Sequence, residues 1–153
     1  MSNDLLSNGS YGCVYHPGFS CDGDTMHNKK IVTKVQKNNP SVIDAELEIS
    51  KIVRTIPDYS KFFVPIMKSC KLDIGQIDAG GLKDCKVISG NTRLVMMYLK
   101  YIKSVPYNTY ILNIIKKPQT KYNNIYCFRQ VIKLYIYILN SVSKLLEKEI
   151  VHF

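Results

Sequence analysis

The 153-residue sequence contains no tryptophan, no C-x-x-C pair and no apolar run long enough to cross a membrane. Its most apolar long stretch, residues 126–142, includes Arg129 and Lys133. A membrane-spanning helix needs about 20 predominantly apolar residues, so we expect a buried helix there instead. Residues 1–6 are too short and too polar to predict a secretory signal peptide.

The cysteines are odd in number and scattered: Cys13, Cys21, Cys70, Cys85 and Cys127. Without a signal peptide or a paired spacing, this distribution is typical of reduced thiols in a cytoplasmic protein. A zinc site built from Cys70 and Cys85 with His27 or His152 is the alternative, but the close ligand spacings of zinc sites are missing. We therefore expect reduced cysteines, no metal and a cytoplasmic location.

Acidic residues are missing from most of the second half: none occurs between Asp84 and Glu147. Residues 1–84 contain ten Lys/Arg and ten Asp/Glu, whereas residues 85–153 contain eleven Lys/Arg and two Glu, which accounts for the net charge of +9. A basic half is typical of a surface that meets an anionic partner, or simply of a solvated surface. No nucleic-acid reader motif is present, so nucleic acid is the least favoured partner.

The hydrophobic period changes from two to 3.6 along the chain. Strands are predicted on either side of a glycine turn within 5–15, and then at 30–35, 62–67 and 92–99. Helices are predicted at 42–56, 107–116 and 124–148. The order, three strands, one helix, two strands and then helices, predicts an α+β fold in which a small sheet is joined to an all-α part.

The first helix has a predicted start signal and a predicted buried stripe. Ser41 is a candidate N-cap, with Asp44 in the capping-box position. The stripe at helical spacing contains a carboxylate among apolar residues: Glu46, Ile49, Val53 and Ile56. We expect that carboxylate to face the core side of the helix.

The glycine turn precedes residues that suit a polyphosphate. A turn with two glycines, here Gly9 and Gly12, exposes backbone N–H groups to an anion and lets the backbone approach it. Lys34 on the next strand supplies a point charge, and Glu46 on the next helix is placed to hold that lysine. A turn of this kind by itself is more often an ordinary hairpin, so the order of the motifs carries the argument.

In this order the motifs resemble the N-terminal lobe of a eukaryotic-type Ser/Thr protein kinase. The resemblance implies a five-stranded antiparallel sheet with one helix over residues 1–100, followed by the first helices of an incomplete α-helical C-lobe over residues 101–153. Tyr11 matches the tip of its glycine-rich loop, Lys34 the β3 lysine, and Glu46 the αC glutamate, with Glu48 as the second choice. The resemblance implies that ATP binds to Leu6, Ser7, Asn8, Gly9, Ser10, Tyr11, Gly12, Val14, Val32, Lys34, Met96, Met97 and Leu99.

The resemblance extends through the rest of the chain. Residues 94–99 resemble the strand that enters the hinge, with Met96 as gatekeeper and with Met97 and Leu99 giving backbone contacts to the purine. The helices at 107–116 and 124–148 resemble αD and αE, and residues 150–153 resemble the start of the catalytic loop. The long connection before residue 30 and the Ile/Asn/Lys bias resemble kinases of large DNA viruses, which implies host cytoplasm or virion.

Departures from the family limit the implied activity. Ser7 replaces the first glycine, Val32 the usual alanine, and Phe153 the usual arginine. The catalytic aspartate and the Mg²⁺-binding residues of the C-lobe are not among the 153 residues, so we expect ATP binding without phosphoryl transfer in this chain. The alternative is a non-catalytic interaction or decoy module that docks a protein on the apolar stripe of its last helix: Phe128, Val131, Ile132, Tyr135, Leu139 and Val142.

Overall fold

The computed structural model describes residues 4–73, 82, 85–86, 93–103, 105–116 and 120–150. The chain divides into two compact units, Met1–Ile102 and Lys103–Phe153. The first unit contains a 3-10 turn at Tyr59–Lys61 and the elements β1 (Asp4–Asn8), β2 (Gly12–His16), β3 (Ile31–Lys37), α1 (Pro40–Arg54), β4 (Lys68–Asp73) and β5 (Arg93–Lys100). The second contains α2 (Tyr107–Ile115) and α3 (Lys121–Leu146).

The five strands form one antiparallel sheet in the order β1-β2-β3-β5-β4. The predicted α+β class with a five-stranded antiparallel sheet is therefore confirmed. β5 is the most apolar strand; it pairs along both edges, with β3 and β4, and its side chains join a packed cluster on each face of the sheet. Its residues from Leu94 to Tyr98 are all buried, as expected for a strand that is apolar on both sides.

The connections between strands pack against one side of the sheet, here called the covered face. The strand residues in this cluster are Cys13, Tyr15, Val35, Leu72, Leu94, Met96 and Tyr98. Phe19, Cys21 and Met26 from the β2–β3 connection, with Leu82 and Cys85 from the β4–β5 connection, pack against them. The long β2–β3 connection therefore shields the apolar strand residues of this face from water.

The opposite side, here called the helix face, packs against α1. Val95 and Met97 of β5 form a cluster there with Ile43 of α1 and Ile66. Because successive side chains of a strand alternate between faces, and Ile31 and Val35 pack on the covered face, Val32 and Lys34 lie on the helix face. Lys34, the lysine predicted to contact phosphate, therefore lies on the face of the sheet that packs against α1.

The start and the buried face of α1 differ from the prediction. The helix begins at Pro40 after Asn39, with no side-chain cap, and Ser41 lies inside the first turn with its Oγ donating to Asn39 Oδ1 at 2.9 Å. Proline is well suited to this first position because it lacks the N–H that would remain unbonded. Of the predicted stripe, Val53 and Ile56 are buried, whereas Ile49 is 44% exposed, and Ile43 and Ser50 are buried in its place.

The predicted strand at 62–67 is wrong, because the edge strand β4 begins only at Lys68. Pro65 supplies no N–H to a ladder, which favours irregular backbone before it. This segment is held by α1 instead: Ser50 Oγ accepts from the Ile66 N–H at 3.1 Å, and the Arg54 guanidinium donates to the Ile66 carbonyl.

In the second unit, the long helix begins earlier than predicted. The Thr120 side chain caps α3 by accepting from the Asn123 N–H at 3.2 Å, so the helix starts at Lys121 rather than at 124. Cys127 Sγ donates to the Ile114 carbonyl of α2. No helix in the described part of the chain is long and apolar enough to span a membrane. Of the predicted catalytic-loop start at 150–153, only residue 150 is described.

The prediction of reduced thiols is wrong for four cysteines. Cys13 pairs with Cys85 and Cys21 with Cys70 in disulfides, and only Cys127 is free. The partners are 72 and 49 residues apart in sequence, so spacing along the chain does not reveal pairs that the sheet brings together. The same pairing separates the two cysteines of the alternative zinc site, and among the described residues no group of three metal ligands occurs. The cysteines therefore no longer support the predicted cytoplasmic location.

Candidate functional site

An ion pair joins β3 to α1 on the helix face. Lys34 Nζ donates to Glu46 Oε1 at 2.8 Å and to Oε2 at 2.7 Å. The two side chains are 25% and 29% exposed, so the pair is partly withdrawn from water and still open on one side. A carboxylate that accepts through both oxygens orients the ammonium as well as neutralising it.

The packing of α1 explains why this glutamate reaches the sheet. Glu46 lies three residues after Ile43 and one residue before Leu47, both of which pack on the helix-face cluster. Residues three and four apart share one side of a helix, so burial of Ile43 and Ser50 turns Glu46 toward β3. Glu48, the second choice, instead forms an exposed pair with Lys51 at 3.0 Å.

Apolar predicted residues lie beside the ion pair on the same face. The register places Val14 of β2 and Met97 of β5 on either side of Lys34, and Leu99 opposite Val32. Directly opposed residues on neighbouring strands have side chains in contact distance. The helix face therefore presents a charged group next to a patch of aliphatic side chains.

The glycine turn closes between β1 and β2. The Gly9 N–H donates to the Gly12 carbonyl at 2.9 Å, which leaves Tyr11 at the tip with 73% of its surface exposed. A Cβ on Gly12 would lie 2.3 Å from the Val35 carbonyl oxygen, whereas a Cβ on Gly9 would meet nothing closer than 3.7 Å. Close packing on β3 thus requires glycine at position 12 but not at position 9.

The remaining predicted residues of this loop are accessible. Leu6, Ser7 and Asn8 belong to β1 and are exposed, as is Ser10 next to the tip. The pairing of β1 with β2 is irregular between Leu5 and Ser7. These residues lie beside the helix face at the glycine turn, and their side chains are not part of the packed cluster on that face.

Met96 and Met97 lie on opposite faces of the sheet. The Met96 side chain is fully buried in the cluster on the covered face, away from Lys34, whereas Met97 shares the face of Lys34. The reason is the two-residue period of a strand, which sends neighbouring side chains to opposite sides. The structure thus places Met97 next to Lys34, and the gatekeeper role of Met96 stays a prediction.

The backbone of the predicted hinge residues lies within the sheet. β5 continues to Lys100, which pairs with Ile31, so the strand extends beyond Leu99. Met97 is flanked by Lys34 on β3 and by Ser69 on β4. Backbone N–H and C=O groups inside a ladder are bonded to neighbouring strands. The contact of Met97 and Leu99 with a purine stays a prediction.

Three cavities of the first unit lie around the ion pair. A cavity of about 210 Å³ adjoins the glycine turn and the start of α1, and one of about 390 Å³ lies between α1 and β4. A third, of about 310 Å³, lies on the other side of the sheet near Tyr98. Lys34 and Glu46 line none of these three, and at 25% and 29% exposure their side chains remain accessible to solvent.

Gln36 is a polar residue at the site that sequence patterns do not indicate. It is 2% exposed, it lines the cavity next to Ser10 and Tyr11, and its Oε1 has no hydrogen-bond partner among the described residues. A buried amide oxygen without a partner is uncommon in folded proteins. The sequence shows only a polar residue at the end of a strand, which is usually exposed.

No protein-family model matches this chain, and no curated protein or solved structure matches it either.

Proposed function

We propose that this chain is the ATP-binding portion of a protein kinase of the Ser/Thr type. The observation that carries the proposal is the Lys34–Glu46 ion pair at 2.7 Å, on the face of the sheet next to the glycine turn. Charge, apolar surface and a glycine backbone are the three components that nucleotide recognition requires, and here they adjoin. A kinase-like N-lobe is the fold that this proposal assigns to the first unit.

The residues present suit the parts of ATP. Lysine has three N–H donors, and two of them are directed to Glu46, which leaves one for a phosphate oxygen. The 25% exposure of the Lys34 side chain keeps that donor accessible. Val14, Val32 and Leu99 supply an aliphatic surface for the flat face of a purine. The backbone of the glycine turn would contact the phosphates.

The proposal covers binding and not phosphoryl transfer. Transfer depends on metal ions that neutralise the phosphates and on an aspartate that receives the hydroxyl proton. The 153 residues contain no D-F-G sequence, so this chain supplies no such Mg²⁺ ligand. Glu46 acts here by holding Lys34 in place, which makes it a positioning residue.

The decisive variant is Lys34→Met, which removes the charge and keeps the aliphatic length. Loss of a charge-assisted hydrogen bond costs about 1.5–3 kcal/mol, so the Kd of a fluorescent ATP analogue should rise by about tenfold or more. Lys37→Met is the matched control, because Lys37 is an exposed lysine on the same strand.

The Kd values of the ATP analogue for these two variants decide the proposal. A Kd that rises for Lys34→Met and stays unchanged for Lys37→Met supports it, provided both variants keep the far-UV circular dichroism of the parent. An unchanged Kd for Lys34→Met contradicts it. Since Lys34 and Glu46 are only partly buried, the unpaired carboxylate left in the variant should not prevent folding.

A second candidate function, a non-catalytic interaction or decoy module, is favoured by the surface of α3. Phe128, Tyr135 and Leu139 are 67%, 62% and 51% exposed. A contiguous exposed apolar surface is typical of a protein–protein contact. Tyr135→Asp should abolish the complex between this chain and a docked partner protein, measured by sedimentation velocity. Tyr122→Asp, at the start of the same helix, should not. Equal complex formation by both variants would exclude this role for the stripe.

A further inference from the structure

We propose that the Cys21–Cys70 disulfide is a thiol-exchange site at which a small-molecule thiol of the glutathione class forms a mixed disulfide with Cys21. The proposal rests on the juxtaposition of this disulfide, a cavity of about 310 Å³ and the hydroxyl of Tyr98. It is independent of nucleotide binding, because the site lies on the covered face, away from Lys34.

The two disulfides differ in their access to solvent. Cys13 and Cys85 are 0% and 3% exposed, inside the covered-face cluster. Cys21 and Cys70 are both half-buried, and Cys21 lines the cavity directly. In thiol exchange the attacking sulfur must reach a disulfide sulfur along the axis of the S–S bond. The more accessible of two disulfides therefore reacts faster. The Cys21–Cys70 bond is open to attack and the Cys13–Cys85 bond is sealed.

The Tyr98 hydroxyl is placed to assist the exchange. Its oxygen lies 3.3 Å from Cys21 Sγ and 3.5 Å from Cys70 Sγ. Sulfurs of a disulfide carry no hydrogen, so the hydroxyl is the donor in both contacts. Burial, and then the nearby Asp22 carboxylate, raise the pKa of Tyr98, which keeps the hydroxyl protonated wherever thiols react. A hydrogen bond to a departing thiolate stabilises it and lowers the barrier.

The cavity wall selects the attacked sulfur. The lining residues are Ser20, Cys21, Asp22, Met26, Ile31, Met67, Lys68 and Tyr98, so Cys70 is not on the wall. The Lys68 ammonium favours the approach of an anionic thiolate, while Asp22 opposes it, and the two charges offset. Attack is therefore directed at Cys21, with Cys70 as the leaving group.

The chemistry balances in two exchange steps. A thiolate RS⁻ attacks Cys21 Sγ, the new bond is Cys21–S–S–R, and the electron pair of the broken bond leaves on Cys70 as a thiolate that takes a proton from water. A second RS⁻ then attacks the R sulfur, which releases RSSR and the Cys21 thiolate. Two thiols supply the two electrons, and both protein sulfurs are reduced.

The test uses the full oxidised chain and reduced glutathione as the probe. The protein is incubated with increasing glutathione, quenched with acid, alkylated and digested, and each cysteine is followed by peptide mass spectrometry. We expect a glutathione adduct on Cys21, a free Cys70, and Cys21–Cys70 opening at least about tenfold faster than Cys13–Cys85, since burial of the sulfurs slows exchange. The sealed disulfide is the internal control.

Three results would overturn the proposal: equal opening rates for the two bonds, an adduct on Cys70 in place of Cys21, or free thiols at Cys21 and Cys70 in the oxidised preparation. Tyr98→Phe separates assistance by the hydroxyl from mere access, because it keeps the ring and removes the donor. We expect it to slow the opening of Cys21–Cys70 severalfold while leaving Cys13–Cys85 unchanged. An unaltered rate in Tyr98→Phe would refute the role of the hydroxyl.

Discussion

Lys34 on β3 and Glu46 on α1 are joined by two hydrogen bonds, of 2.8 and 2.7 Å, from one ammonium to both oxygens of one carboxylate. The pair connects the sheet to the helix at a point where neither side chain is fully buried. Partly exposed ion pairs contribute about 1 kcal/mol or less to folding. The geometry is therefore better suited to positioning a charge than to stabilising the fold.

Glu46→Gln should lower nucleotide affinity more than it lowers stability. The neutral amide retains the length of the side chain but no longer holds the ammonium, so we expect the Kd of an ATP analogue to rise about three- to tenfold, equivalent to about 1 kcal/mol. Chemical denaturation should show a loss below about 1 kcal/mol. Glu48→Gln is the control, since its pair with Lys51 is exposed, and a matching rise in that variant would contradict the assignment.

Gly12→Ala should destabilise the protein, and Gly9→Ala should not. The added methyl at position 12 would lie 2.3 Å from the Val35 carbonyl oxygen and 2.8 Å from Gln36 Cβ, so β2 or β3 must shift. Overpacking of this kind costs about 1–3 kcal/mol, whereas the ordinary contact of 3.7 Å at Gly9 predicts a change within about 0.5 kcal/mol. Urea midpoints of the two variants measure the difference. Equal midpoints would show that β2 and β3 are less closely packed.

Removal of the Cys13–Cys85 disulfide should cost much of the stability of the first unit. The bond closes a sequence separation of 72 residues, for which the chain-entropy relation gives about 4 kcal/mol. The double variant Cys13→Ala/Cys85→Ala should therefore unfold at a much lower urea concentration than the parent. Cys127→Ala, which affects the free cysteine, should leave the midpoint nearly unchanged. The double variant would contradict this account if it unfolded with the parent.

Stability should decline at alkaline pH in a way that depends on Tyr98. Burial, and then Asp22, raise the pKa of Tyr98 above its usual 10.0. The folded state therefore holds this proton more tightly than the unfolded state, so the contribution to stability is complete below pH 10 and is lost as the pH rises through the folded pKa.

The variant Tyr98→Phe isolates this effect from the other tyrosines. Above pH 10 its stability should fall less steeply with pH than that of the parent, in denaturation curves recorded at successive pH values. Tyr122→Phe is the control, because Tyr122 is 84% exposed. Parallel curves for the parent and Tyr98→Phe would mean that Tyr98 titrates alike in the folded and unfolded states.

The prediction of the fold succeeds where local patterns decide it. Alternating residues and the change of period indicate the sheet and the helices, and the five-stranded antiparallel arrangement implied by the resemblance is confirmed. The placement of Lys34 and Glu46 was predicted from their positions within one strand and one helix, and the structure brings the two side chains together. Whether they bind ATP stays a prediction.

The errors arise where an element's exact phase or end matters. Ile49 lies one residue from the buried Ser50, and one residue turns a helix by about 100°. In a strand, one residue sends the side chain to the opposite face, which separates Met96 from Met97. The predicted strand at 62–67 was placed too early because its apolar residues pack beside α1 without joining the ladder. A pattern over a few residues does not specify which other element of the fold will pack against those residues.

The amino-acid sequence alone determines the α+β class, the order of strands and helices, the glycine turn, the basic second half and the residue types available for a nucleotide. Only the tertiary structure decides that Met97 accompanies Lys34, that β5 is central, and that Cys13 meets Cys85 and Cys21 meets Cys70. The physical reason is range. Hydrogen bonding and periodicity act between near neighbours, whereas disulfides and sheet faces join residues separated by tens of positions, whose proximity exists only after the strands have paired.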